Sequence, residues 1–97
     1  MKKEELVHII FAVFDNMMEQ NDNLKIEKSL DCTLIGEKSN LDSLGLVNFL
    51  MMTEQMVSEK LGKEMSIADY ELISQQNSPL QNVGLFVDFL HDKISNG

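Results

Sequence analysis

Apolar residues recur along the chain with the spacing of amphipathic helices, and this pattern predicts four helical segments. The first covers residues 3 to about 19. Its apolar positions follow the i, i+3, i+4 spacing of one buried face, namely Leu6, Ile9, Ile10, Val13, Phe14 and Met17. Glu4 and Glu5 lie in the first turn, where the helix dipole favours negative charge. We therefore predict a core-packing helix that ends at the turn-forming residues 20–23.

Residues 21 to 42 form a long connection that is too apolar for a free linker. Its apolar side chains are spaced along the whole segment, at Leu24, Ile26, Leu30, Leu34, Ile35 and Leu41. Long connections without structure of their own are uncommon in compact domains. We therefore expect these side chains to anchor the segment across the helices.

The second predicted helix covers residues 43 to about 61 and ends at Gly62, which suits the position after a helix terminus. It carries two apolar stripes. The first, expected to face the core, contains Leu46, Leu50, Val57 and Leu61, with Phe49 and Met56 at its edge. The second contains Leu44, Val47 and Met51 and continues to Glu54. This second stripe indicates either a well-buried helix or an exposed strip that contacts other proteins.

Two shorter helices complete the predicted fold. A third helix is expected over residues 66 to about 74, with Ser66 as its cap. A fourth is expected over residues 79 to about 94. Its start combines a Ser78 cap, Pro79 in the first helical position and Gln81 in a capping box. The prediction is a single all-α domain over residues 1–97.

Composition narrows the class of protein. Hydrophobic residues make up 43% of the chain and charged residues 25%, which suits a folded domain. The net charge of −8 disfavours nucleic acid and anionic membrane surfaces as partners. Cys32 is the one cysteine, so no internal disulfide can form and a reducing compartment is expected. We therefore expect a cytoplasmic protein.

Ser43 stands at the junction between the long connection and the second helix. A serine there can cap the helix by accepting a hydrogen bond from an otherwise unpaired N–H. Its hydroxyl can also receive a covalent group, because a cap residue lies at an exposed helix end. The chain offers no convergent catalytic set: His8 and His91 are unpaired by spacing, and no Gly-rich phosphate loop is present. Neither catalysis nor a metal site is expected.

The helical pattern and three motifs together resemble the acyl carrier protein family. The specific motif is residues 41–50, LDSLGLVNFL, at the start of the second helix. Supporting motifs are LIG at 34–36 in the connection and SPLQNV at 78–83, which opens the last helix. The resemblance covers nearly the whole chain. It implies a four-helix bundle of acyl-carrier type, with a long loop between helices one and two and a short third helix.

The resemblance also implies a function. In that family the serine matching Ser43 carries 4′-phosphopantetheine, which a phosphopantetheinyl transferase donates from coenzyme A. The thiol of this arm holds acyl groups as thioesters and presents them to partner enzymes of fatty-acid, polyketide or other specialised pathways. Such a carrier is a monomer, is not itself an enzyme, and is loaded by an acyl or aminoacyl ligase. The positions where partner enzymes dock correspond to Asp42, Leu44, Val47, Met51 and Glu54.

The sequence departs from the family at the recognition helix, which is usually markedly acidic. Asn48 and Gln55 stand where acidic residues are common, and Gly45 replaces the common aspartate. These differences indicate a stand-alone carrier for a specialised pathway. Two alternatives remain open: an aminoacyl carrier, and an unmodified helical adaptor that binds partners through Leu44, Val47 and Met51.

Overall fold

A computed structural model describes residues 2–34, 41, 43–62, 64 and 81–96, with residues 43 and 96 described by their backbone alone. Three helices form this part of the chain: α1 (Lys3–Gln20), α2 (Ser43–Leu61) and α3 (Val83–Asn96). Apart from one isolated bridge between Thr33 and Asn82, the described residues contain no β structure. The all-helical prediction is therefore confirmed. The predicted third helix, 66–74, lies outside the described residues.

Helix α1 lies against both α2 and α3. It ends where the sequence predicts, within one residue, and the backbone N–H of Asn21 donates to the carbonyl of Met17 at 3.1 Å. The six apolar residues predicted to face the core are all buried: Leu6, Ile9, Ile10, Val13, Phe14 and Met17. The periodic pattern was sufficient here because α1 buries a single face.

Helix α2 has the predicted bounds, and its end is set by Gly62. This glycine has a φ of +72°, and its N–H donates to the carbonyl of Ser58 at 2.9 Å. A side chain disfavours this left-handed conformation, which is why glycine is common directly after a helix. Thr53 is buried on the core side of α2, and its hydroxyl donates to the carbonyl of Phe49 at 2.8 Å. That intrahelical bond satisfies a hydroxyl in the apolar core.

Helix α3 begins four residues later than predicted, at Val83 rather than residue 79. Gln81, the predicted third helical residue, lies outside the helix, and the predicted Ser78 and Pro79 positions lie outside the described residues. Asn82 takes the capping position, because its side-chain oxygen accepts from the N–H of Leu85 at 2.8 Å. The predicted helix start at residue 79 was wrong, because Gln81 and Asn82, just before α3, pair with the connection instead.

The connection is anchored partly as predicted. Ile26 and Leu34 are buried, whereas Leu30 is 52% exposed and is not an anchor. The backbone of this segment holds the start of α3. The N–H groups of Val83 and Gly84 donate to the carbonyls of Cys32 and Leu30, at 3.1 and 2.9 Å. Leu30 therefore contributes through its backbone carbonyl, while its side chain is half exposed.

Aromatic rings link the three helices through the centre of the core. The ring of Phe49 in α2 lies 5.2 Å from that of Phe14 in α1 and 5.5 Å from that of Phe86 in α3. All three rings are fully buried. Phe11 and Phe89 extend the series at its two ends. This arrangement fixes the side of α2 that faces the core, and so the side left for solvent.

Candidate functional site

The candidate site is the first half of α2, which begins at Ser43. The first turn of this helix contains no acidic residue. Backbone N–H groups in a first helical turn lack intrahelical partners, and the helix dipole makes this end positive. The start of α2 is therefore electrostatically suited to a negatively charged group. Asp42, predicted to contact partners, lies outside the described residues.

The second apolar stripe of α2 is largely exposed. Leu44 is 71% exposed and Met51 57%, whereas Val47 and Glu54 are half-buried. Leu46, two residues from Leu44, is only 4% exposed. Of the two interpretations left open by the sequence, a fully buried helix is thus wrong for Leu44 and Met51. Two large apolar side chains within the first three turns of α2 face solvent.

A groove of about 850 Å³ runs beside this stripe, between α2 and the end of α1. Leu44, Gly45 and Met51 line it from α2, and Leu41 lines it just before the helix. The groove starts one residue from Ser43 and continues as far as Gln55. The site therefore includes a continuous surface that leads away from Ser43 along α2.

The described residues that line the groove present side-chain amides rather than charges. Five carboxamides contribute to it, from Gln20, Asn21, Asn23, Asn48 and Gln55, and all five residues are exposed. None of its described lining residues is ionisable. This is unexpected in a chain whose net charge is −8. The carboxamides of this described lining can donate and accept hydrogen bonds, but they carry no charge that could form an ion pair.

Sequence reasoning missed the part of this groove contributed by α1 and the turn after it. The residue types of Gln20, Asn21 and Asn23 predict only the end of a helix. No linear signal relates them to Asn48 and Gln55, because their proximity depends on how α1 packs against α2. The neutral character of Asn48 and Gln55 was the one available clue.

No family model, curated protein or solved structure matches this chain. The resemblance to acyl carrier proteins therefore stays a prediction. What the chain can do is argued from the start of α2 and the groove beside it.

Other reactive groups in the described part of the chain have limited chemistry. There, no group of three His, Cys, Asp or Glu side chains is arranged to hold a metal ion. Burial, together with the charge of Glu27, raises the pKa of the Cys32 thiol, so that its protonated form is favoured. None of the described helices is both long enough and apolar enough to cross a bilayer.

Proposed function

We propose that this protein is an acyl carrier whose Ser43 bears a 4′-phosphopantetheine arm. The observation that carries the proposal is that four features occur together at the start of α2. A serine begins the helix, the first turn has no acidic residue, Leu44 next to it is 71% exposed, and a groove whose described lining residues carry no charge starts one residue away. A helix start explains the serine but accounts for neither the exposed leucine nor the groove.

The modification step is a phosphoryl transfer to the Ser43 hydroxyl. The serine oxygen attacks the phosphorus of coenzyme A that carries the pantetheine chain, and a new P–O bond forms. The pyrophosphate bond breaks, and adenosine 3′,5′-bisphosphate leaves with the bonding electron pair. The hydroxyl proton passes to a base of the transferase. The product is a phosphodiester on Ser43, whose negative charge suits the positive end of α2.

Once attached, the arm supplies a thiol that carries acyl groups as thioesters. The chain's own contribution is to present this thiol at a fixed place on a stable helical scaffold. Tethering raises the local concentration of the cargo for each enzyme that docks. The contacts made by each enzyme must also be released, so a small exposed strip suits the task better than a large apolar interface.

The proposed partners are a phosphopantetheinyl transferase, an acyl- or aminoacyl-loading ligase, and acyl-processing enzymes. Leu44, Val47 and Met51, with Asp42 and Glu54 at the border, form the proposed docking strip. We propose a cytoplasmic monomer whose residues 66–74 add a short third helix and complete a four-helix bundle. Nucleic acid and membranes are not proposed as partners, because the net charge of −8 opposes binding to anionic surfaces.

An unmodified adaptor is the second candidate function. The exposure of Leu44 and Met51 favours it as much as it favours a carrier, because both require an accessible apolar strip. The two functions differ in their need for the Ser43 hydroxyl. An adaptor keeps partner binding when this serine is replaced by alanine, whereas a carrier loses all loading.

A fluorescent coenzyme A analogue tests the proposal. The protein is incubated with the analogue, magnesium and a broad-specificity transferase, and labelling is followed on a denaturing gel. We expect the wild type to be labelled and Ser43→Ala to remain dark. The variant should keep its fold, because Ser43 is the first residue of α2 and alanine has the highest helix propensity. A folded wild type that an active transferase leaves unlabelled would refute the carrier function.

A further inference from the structure

The large apolar side chains that are most exposed in the described part of the chain fall into two pairs. Leu44 and Met51 belong to the proposed docking strip on α2. The second pair is Leu30 in the connection, which is 52% exposed, and Leu85 in α3, which is 43% exposed. Neither residue of the second pair lines the groove beside α2. This pair therefore marks a surface that the proposed function does not use.

Backbone hydrogen bonds bring Leu30 and Leu85 together, although the two residues are distant in the sequence. The N–H of Gly84 donates to the carbonyl of Leu30 at 2.9 Å, and a Cβ added at Gly84 would lie 3.9 Å from the Cβ of Leu30. One residue earlier, the N–H of Val83 donates to the carbonyl of Cys32 at 3.1 Å. Because these bonds fix the backbone beneath both leucines, a partner that binds them orders little of the chain.

Leu85 shares the solvent side of α3 with two carboxylates. At about 100° per residue, Asp88 and Asp92 follow Leu85 along the same side of the helix. Both of these aspartates are exposed. The opposite side of α3 holds its buried residues, which are Val83, Phe86, Val87 and Leu90. The solvent side of α3 thus begins with an exposed leucine and continues with negative charge.

Carboxylates also border the pair on the side of the connection. Glu27 and Asp31 precede and follow Leu30 in the sequence, and both are exposed. The lysine of this segment, Lys28, is paired with Asp15 of α1 at 3.1 Å. The charge beside Leu30 is therefore negative on balance, and a basic group from another protein is attracted there.

The solvent side of α3 already binds a cation of the chain itself. The ammonium group of Lys3 lies 2.9 Å from a carboxylate oxygen of Asp88, and both side chains are more than half exposed. A hydrogen bond to Asp88 and the charge of that carboxylate raise the pKa of Lys3, and the charge of Asp92 adds to this effect. These carboxylates therefore attract an ammonium group one helical turn from Leu85.

We propose that the junction patch, formed by Leu30 and Leu85 with Asp31 and Asp88 at its border, is a second docking surface. Its partner is a protein segment that presents apolar side chains flanked by Lys or Arg. A second copy of this chain fits poorly, because its own net charge is also −8. An anionic membrane is repelled for the same reason. The small apolar area suits a weak, reversible contact.

The junction patch lies on the connection and α3, whereas Ser43 and the docking strip lie on α2. A partner bound at the patch covers none of the residues that line the groove beside α2. In the proposed carrier, one protein therefore holds the chain while another docks at the strip, and this tethering raises the local concentration of the cargo. The surface itself does not require Ser43 to be modified, so the inference goes beyond the proposed function.

Leucine methyl signals in solution NMR test the junction patch with two synthetic helical peptides. One peptide has leucines on one side and lysines on the other, and its counterpart has glutamate in place of every lysine. We expect the lysine peptide to shift the methyl signals of Leu30 and Leu85, and the glutamate peptide to leave them in place. Raising the ionic strength from about 0.1 M to about 1 M should weaken the binding, because the screening length falls from about 10 Å to about 3 Å.

Two matched pairs of variants assign the contact, with the Leu30 methyl signal as the readout. Leu85→Gln should raise the Kd of the lysine peptide about fivefold, because about half of a leucine surface is lost from the contact. Leu44→Gln makes the same change in the docking strip and should leave this Kd unchanged. Asp31→Asn should raise the Kd about two- to fivefold. Asp22→Asn removes an exposed charge from the turn after α1 and should have no effect.

Three results would overturn the second docking surface. The first is that the Leu30 and Leu85 signals stay in place with the lysine peptide, or shift equally with the glutamate peptide. The second is that Leu85→Gln abolishes self-association or binding to anionic vesicles, which would assign the patch to a second copy or to a membrane. The third is that the bound lysine peptide slows labelling of Ser43, because the patch and the strip would then not be separate. A chain that the transferase never labels refutes the carrier function, and the peptide titrations still decide the patch.

Discussion

Leu44→Ala and Leu46→Ala form a matched pair that tests which side of α2 faces solvent. Leu44 is 71% exposed and thus about three-tenths buried, whereas Leu46 is 4% exposed. Full burial of a leucine is worth about 1.5–3 kcal/mol. Truncating Leu44 should therefore cost about 0.5 kcal/mol, and alanine's slightly better helix propensity offsets part of that. Truncating Leu46 also leaves a cavity and should cost about 2–5 kcal/mol.

Thermal unfolding followed by far-ultraviolet circular dichroism measures both costs. In a domain of this size, 1 kcal/mol shifts the Tm by about 4–8 °C. We expect Leu44→Ala to unfold within about 4 °C of the wild type and Leu46→Ala to unfold about 8–40 °C lower, with both keeping their helical content. Equal losses for the two variants would refute the reasoning, because Leu44 would then belong to the core.

The Leu44→Ala variant also tests the proposed function. If Leu44 belongs to the docking strip, Leu44→Ala should slow labelling by the transferase although its fold is intact. Glu59→Ala, at an exposed position near the end of α2, is the control and should be labelled at the wild-type rate. Undiminished labelling of Leu44→Ala would remove this residue from the strip.

Three further predictions concern the core, the end of α2 and the thiol. Phe49→Ala should cost about 3–5 kcal/mol in denaturant titration, because it removes a buried ring packed against Phe14 and Phe86; a cost below about 1 kcal/mol would contradict that packing. Gly62→Ala should cost about 1 kcal/mol, since φ is +72° and an added Cβ meets no atom within 4 Å; an unchanged Tm would show that α2 ends differently. Burial raises the pKa of the Cys32 thiol, so iodoacetamide should alkylate Cys32 more slowly in the folded protein than in urea. Because the folded protein favours the protonated thiol, the free energy of unfolding should fall as the pH rises through the titration of this group. Equal alkylation rates in the folded and unfolded protein would refute the burial of the thiol.

The bounds of the described helices could be predicted from the sequence wherever local preferences alone determine them. The apolar stripe of α1 and the glycine after α2 gave bounds within one residue, because each reflects local backbone or burial preferences. The start of α3 could not be predicted in this way. Ser78, Pro79 and Gln81 form a local capping signature, but the tertiary pairing of Thr33 with Asn82 overrides it, and pairings of that range are invisible to local rules.

The candidate site, like the fold, could be predicted from the sequence only in part. Ser43 and the apolar stripe beside it are visible in the sequence, since both depend on helical spacing. The sequence predicts that the stripe with Leu46, Leu50 and Val57 faces the core, and the structure confirms this prediction. Whether the second stripe is buried as well depends on how α1 and α3 pack around Phe49, and periodicity carries no such information. The proximity of the groove amides of α1 and of the turn after it to those of α2 could not be predicted, because no linear pattern relates them.

The most direct test of the central claim is the intact mass of the protein before and after incubation with coenzyme A, magnesium and a phosphopantetheinyl transferase, followed by fragmentation of the peptide that contains Ser43. We predict a gain of one phosphopantetheine, located on Ser43 and absent from Ser43→Ala. An unchanged mass, with the protein folded and the transferase active on a control carrier, would contradict the claim and leave Ser43 as the first residue of α2 and nothing more.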